Sequence, residues 1–299
     1  MTKTINPSEI SQQELHGILL TAVAPRPICF ASTIDSDGNV NLSPFSYFNV
    51  FSSNPPILVF SPARSGRDNS LKHSHQNVKE VPEVVINIVN HNIVEQMSLS
   101  STAYEKGVNE FVKSGLTEVS SDLIRPPRVG EAPVAFECVV KEVIELANTP
   151  GAGNLILAEV KCIHINKDYL TGDALDTKKL DLVGRMGGNW YIRANGDALF
   201  EIPKPIRTKG IGVDALSQGI RDSKILTGNN LGRLGNLESL PSAKAVEELK
   251  NDDEIQMLAK KMGGDVLEHK KQLHWLAQQI LEEGNTHKAM AILIHAENL

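Results

Sequence analysis

The sequence predicts a mainly β fold with helices: a small antiparallel barrel followed by a C-terminal helical extension. Two observations carry this reading. Apolar, β-branched or aromatic runs recur between residues 28 and 165, separated by turn residues, and about six such runs suit a small barrel. Beyond residue 205 the strand-like alternation stops, and apolar residues later return at helical spacing. We therefore expect two domains, 1–205 and 206–299.

The chain opens on Ser11-Gln12-Gln13-Glu14, the spacing of a helix capping box, and Leu15, Ile18 and Leu19 give the helix one apolar stripe. Pro25 and Pro27 bar continuation and lead into the first strand, Ile28–Ile34. Asp35-Ser36-Asp37-Gly38-Asn39 suits a hairpin turn to a middle run, Val40–Val50. That run carries Asn41, Ser43, Ser46, Tyr47 and Asn49 beside Pro44, Phe45 and Phe48, too many polar groups for a strand built only for core. A third strand, Ile57–Ser61, opens into a polar loop holding Arg64 and Arg67. Asp68 or Asn69 is expected to cap a helix running to about Asn77.

Glu83–Val89 reads as a strand, Ile93–Ser101 as a helix, and Gly107–Arg128 as short helical pieces and loop. Val134–Leu146 and Leu155–Ile165 form a long hairpin around the turn residues 148–153. Gly187-Gly188 beside Trp190 and Tyr191 lets backbone approach a planar surface, or marks an ordinary glycine turn. From 203 to 241 only turn signals stand out, Pro203, Pro205 and Pro241 among them. Three helices follow. The first ends near Met262, the second opens at Asp265 with Leu273, Leu276, Ile280 and Leu281 on one face, and the third is capped by Thr286. Their stripe is expected to pack on the barrel or on a second subunit.

The 299 residues are 41% hydrophobic and 22% charged, an ordinary globular composition sufficient for one large or two modest domains. A net charge of −6 gives no electrostatic reason to expect nucleic acid or an anionic membrane as partner. Cys29, Cys138 and Cys162 are few and scattered, which suggests reduced thiols. No apolar stretch approaches the roughly 20 residues of a membrane span, and the first residues lack a signal-peptide core, so the expectation is a cytoplasmic protein. Metal motifs are lacking: His73-Ser74-His75 splits its rings onto different helix faces, and no Cys-x-x-Cys or His-Glu-x-x-His occurs. Gly210-Ile211-Gly212 and Gly228–Gly232 lack the strand–glycine–helix setting of a dinucleotide fold.

An apolar slot followed by an anion-friendly loop suits a flat, phosphate-bearing ligand, although a loop that merely caps a helix fits the bare residues equally well. The ordered motifs add to this. Pro25-Arg26-Pro27-Ile28, Asn41-Leu42-Ser43-Pro44-Phe45-Ser46, Pro55-Pro56, Phe60-Ser61-Pro62 and Asp68-Asn69-Ser70-Leu71 together resemble the flavin reductase-like family, over roughly the first two thirds of the chain. That family has an FMN-binding split barrel and includes flavoredoxins and the reductase halves of two-component monooxygenases.

The resemblance implies FMN, with FAD as the alternative. The isoalloxazine would lie along Asn41 to Phe48, including Tyr47. The ribityl chain would meet Thr33, Ser43, Ser46 and Ser61, and the phosphate would meet Arg64, Arg67, Asn69 and Ser70. Arg185 and Tyr191 match a family Arg-x-Gly-Gly-x-x-Tyr near the flavin. His164 matches a histidine near the nicotinamide site, or is a strand histidine satisfied by a neighbour. The implied reaction is hydride transfer from NAD(P)H to the flavin, which requires no side chain as acid or base, so no catalytic residue is named. A homodimer is implied, with a partner oxygenase or other electron acceptor. The alternatives are a flavoredoxin-like electron carrier and a non-catalytic flavin-binding interaction module.

Overall fold

The computed structural model describes residues 1–202 and 208–299, so the turn signals at Pro203 and Pro205 lie outside the described residues. Two compact units result, Met1–Phe200 and Glu201–Leu299.

The first unit is built on a seven-stranded sheet. Its strands are β1 (Cys29–Ile34), β2 (Val40–Phe45), β3 (Phe48–Ser53), β4 (Pro56–Phe60), β5 (Glu83–Ile88), β6 (Val134–Glu145) and β7 (Asn154–Ile165). The order across the sheet is β2-β1-β5-β6-β7-β4-β3, and every ladder is antiparallel. Strands β2 and β3 therefore stand at opposite edges, yet only Ser46 and Tyr47 separate them in sequence. Three peptide steps span at most about 11 Å, so the sheet must curl until its edges nearly meet. The result is a barrel left open between β2 and β3.

This corrects the expectation that Val40–Val50 is one run and that about six strands form the barrel. The proline and polar residues fit edge positions, where a missing N–H costs no ladder bond and side chains meet a ligand or water. The hairpin at 35–39 is as expected: the Asp35 carboxylate accepts the N–H groups of Asp37 and Asn39, and Gly38 has φ +86°.

Strand β1 is buried along its whole length because it serves two cores. Ile28 and Phe30 pack with Leu42, Met97 and Phe111 on one side, while Cys29 and Ala31 pack with Phe60, Val84 and Ile156 on the other. Around the sheet lie α1 (Gln12–Ala22), α2 (His73–Glu80), α3 (Val94–Leu99) and α4 (Glu110–Ser114). Helix α1 has the expected Ser11 cap, Oγ accepting from Glu14 N at 3.2 Å. Helix α2 begins later than expected. Asp68 turns back to accept both Ser70 N and Ser70 Oγ, and Asn69 is left-handed at φ +61°, so neither residue can cap a helix; Lys72 occupies that position. A short hairpin of β8 (Val183–Arg185) and β9 (Tyr191–Arg193) closes the unit.

In the second unit, α5 (Gly228–Gly235) and α6 (Ala243–Glu248) precede α7 (Asp253–Met262), α8 (Val266–Glu282) and α9 (Thr286–Glu297). The last three are the expected helices, with one shift: Asn285, not Thr286, caps α9 through Lys288 N. The amphipathic stripe does not wait for a partner. Leu273, Leu276, Ile280 and Leu281 bury against Leu234, Met290 and Ile292 of the same unit. All three cysteines of the chain are free thiols. Among the described residues no helix is long and apolar enough to cross a membrane.

Candidate functional site

Strand β2 has a free edge, and side chains from that edge face a cavity of about 190 Å³. Asn41, Ser43, Pro44 and Phe45 form one wall; Ser70, Leu71, Lys72 and His73, entering α2, form another; residues 101–104 and Glu110 complete it. The volume lies below the ~300 Å³ usual for an enclosed small-molecule site, so a larger ligand would lie partly in the open groove. Asn41 is oriented from within, its amide donating to Ser74 Oγ at 2.9 Å and Ser43 Oγ at 3.4 Å. Phe45 is backed by Phe60, ring centroids 5.6 Å apart.

Arg64 is 10% exposed in its side chain and lies in the loop entering this wall. Its guanidinium donates to Asn69 O and contacts Glu145, both at 3.3 Å. Arg64 Nε and Asn69 Oδ1 are buried without a hydrogen-bond partner among the described residues. An unpaired buried N–H donor on a cation suits an anionic group, so the residues present fit a phosphate-bearing ligand. Arg67 is exposed in the same loop. Ser65 and Ser70 hold the Asp68 carboxyl down to about 2, so that carboxylate organises the loop while engaging Ser70.

Of the expected site residues, the structure thus gathers Asn41, Ser43 and Ser70 at the cavity, with Arg64, Arg67 and Asn69 in the adjoining loop. Others have different surroundings. Thr33 is fully buried and its hydroxyl accepts from Asn77 Nδ2, so it belongs to the core packing of α2 on β1. Ser61 accepts from Asn154 N at 3.0 Å. Ser46 accepts from Arg26 Nε at 3.3 Å, Tyr47 O accepts from Ser61 N, and Phe48 packs against the core behind β4. Arg185 stacks on Tyr191, 4.5 Å from guanidinium to ring centre, across the β8–β9 hairpin.

His164 is not brought to the cavity. Pro44, Phe30, Asn87, Ala135 and His164 form one row across β2, β1, β5, β6 and β7, so His164 stands four strands from Pro44 in the sheet order and is not among the residues lining the cavity. There it contacts Glu137 at 2.6 Å, the neighbour-satisfied alternative.

Two residues carry no local sequence signal for their roles. Arg26 is buried and donates to the carbonyls of Leu20, Val23 and Met186 as well as to Ser46, tying α1 and the β8 segment to the β2–β3 link. Glu110 is 3% exposed and its carboxylate accepts Leu42 N at 2.9 Å, which satisfies the free edge of β2 between Asn41 and Ser43.

Burial raises the Glu110 carboxyl above its ordinary range, outweighing the amide bond from Leu42. A raised folded-state value means that the contribution is fully present below about pH 4.3 and is lost as pH rises through the folded value. Glu110→Gln keeps an acceptor for Leu42 N–H and removes the charge. Its stability at pH 7.5 is expected to equal or exceed the wild type, with that advantage gone at pH 4. Glu110→Leu strands the N–H and is expected to cost about 1–3 kcal/mol. Urea unfolding at the two pH values checks both, and a Gln variant less stable than wild type at pH 7.5 contradicts the assignment.

The curled, edge-open sheet with a groove on its β2 edge defines a split-barrel protein. The chain belongs to the flavin reductase like domain family, whose match covers residues 22–178. An uncharacterized protein of Aquifex aeolicus (strain VF5) is 33% identical over 195 residues, 65% of this chain and 97% of its own length. The crystal structure of nitrilotriacetate monooxygenase component B from Bacillus cereus superposes with TM-score 0.63 at 26% identity, over 68% of this chain and 99% of that one. A chain with a split barrel domain from Shewanella frigidimarina NCIMB 400 gives TM-score 0.56 at 24% identity, over 66% and 95%, a likeness of fold.

Proposed function

We propose that this chain is an FMN-binding flavin reductase that takes a hydride from NAD(P)H and supplies reducing equivalents to a downstream acceptor. The observation that carries the reading is a groove lined by Asn41, Ser43, Phe45 and Ser70, with Ser70 ending a loop in which the buried Arg64 Nε lacks a partner among the described residues. Flavin, when bound, supplies the hydride-accepting chemistry. The protein's part is to bind and orient. Phe45 and Pro44 would offer apolar contact for the ring, Asn41 and Ser43 would offer polar partners, and Arg64, Arg67 and Asn69 would hold the phosphate. Likeness to nitrilotriacetate monooxygenase component B supports an oxygenase as the acceptor.

A homodimer belongs to the same proposal. Val50 and Phe51 are 62% and 69% exposed on edge strand β3, an apolar edge that a second copy would cover and that adjoins the barrel opening.

Titration of the flavin-free protein with FMN and with FAD, followed by flavin fluorescence, tests the site. FMN is expected to bind with one site per chain. Arg64→Met is expected to weaken it about 10–100-fold, the value of one charge-assisted hydrogen bond. Failure to bind FMN, or an unchanged affinity in the variant, contradicts the assignment.

A further inference from the structure

We propose that Asp122, Glu137, Cys162 and His164 form a binding site for a zinc-type divalent ion, separate from the flavin groove. One ligand atom from each of the four lies within 4.8 Å of every other. They come from three segments, and the sheet explains the convergence. Cys162 and His164 are two residues apart on β7, so they share a face, and Glu137 of β6 stands directly opposite Cys162 on that face. Asp122 is delivered by a loop that Glu137 itself anchors, its two oxygens accepting Asp122 N and Leu123 N at 2.7 Å each.

The chemistry of the set is selective. A thiolate and an imidazole with carboxylates suit zinc or cobalt, whereas magnesium and calcium prefer all-oxygen sites. Tetrahedral ligands about such an ion stand about 3.5 Å apart, so the wider pairs would close by up to about 1 Å, while the His164–Glu137 contact, now 2.6 Å, would open by about as much. A simple His164–Glu137 pair accounts for those two residues but not for the others. Neither the Asp122 carboxylate nor the Cys162 thiol has a hydrogen-bond partner among the described residues, and both stand where a shared cation would engage them. The partly exposed His164 leaves an entry path, its side chain 19% accessible.

The test is calorimetric titration of the full-length chain with zinc chloride, with alkylation of Cys162 read by mass spectrometry in parallel. Cys29 and Cys138 are buried, so Cys162 is the thiol that reports. One zinc per chain is expected, with Cys162 protected from iodoacetamide. Cys162→Ser and His164→Gln are expected to weaken binding by more than ~100-fold, beyond the ~10–100-fold that loss of a supporting partner costs. Asp122→Asn, on the exposed loop, is expected to weaken it at least ~10-fold with the melting temperature of the metal-free chain unchanged, which keeps the test valid if the strand variants fold poorly. No stoichiometric binding, or equal binding in wild type and Asp122→Asn without protection of Cys162, overturns the proposal.

Discussion

Replacing Arg26 with leucine is expected to destabilise the first unit by about 3 kcal/mol and to lower its melting temperature by roughly 6–12 °C. Buried charges are often replaceable by apolar groups at little cost, because desolvation offsets much of their attraction. Arg26 differs in what it would leave behind. The carbonyls of Leu20 and Val23 belong to the C-terminal end of α1, where the last turn has no intrahelical donors and carries the negative end of the helix dipole. Met186 O and Ser46 Oγ are the other acceptors. Leucine would strand these groups in a region where Arg26 itself is 6% exposed. Ser46 lies in the link between the two barrel edges, so flavin affinity is expected to fall with stability, about 10-fold. Arg26→Lys should recover only part of either, since one ammonium cannot span the helix end and Met186 together. Thermal melts and an FMN titration of both variants check this; a leucine variant melting within about 2 °C of wild type contradicts it.

Phe60→Ala is expected to cost about 3–5 kcal/mol, the range for deleting a fully buried aromatic side chain. Phe60 is 0% exposed, pairs with Ile156 and Phe48 across the sheet, and backs the Phe45 ring. Because Phe45 lines the cavity, the void would open behind the proposed flavin floor, and loss of stability should be accompanied by weaker FMN binding. Phe60→Leu, which fills most of the volume, is expected to lose far less of both. Urea unfolding distinguishes the two variants; equal losses would mean that volume behind Phe45 is not the determinant.

Much of the architecture was legible because it is local. The 35–39 hairpin, the long hairpin at 134–165, the Ser11 cap and the stripe of α8 each depend on residues within a few positions of one another. The rest was not legible because it depends on distant strands. Val40–Val50 looks continuous along the chain, and only the pairing of β2 with β1 and of β3 with β4 divides it. Thr33 and Ser61 have the hydroxyls a ribityl chain needs, but Asn77 and Asn154 reach them from other elements. Glu110 sits 68 residues from the amide it satisfies. His164 and Glu137 meet only through strand register, as do the other members of the proposed ion site. Helix capping failed at Asn69 for a conformational reason, a left-handed backbone that composition does not reveal.

The most direct test of the proposed function is the visible spectrum of the FMN-loaded protein under anaerobic addition of NADH and, separately, NADPH. The predicted result is a bound-flavin spectrum that bleaches rapidly with at least one donor, which also identifies that donor. A protein that retains no added FMN, or a bound flavin that neither donor bleaches, would contradict the reductase reading.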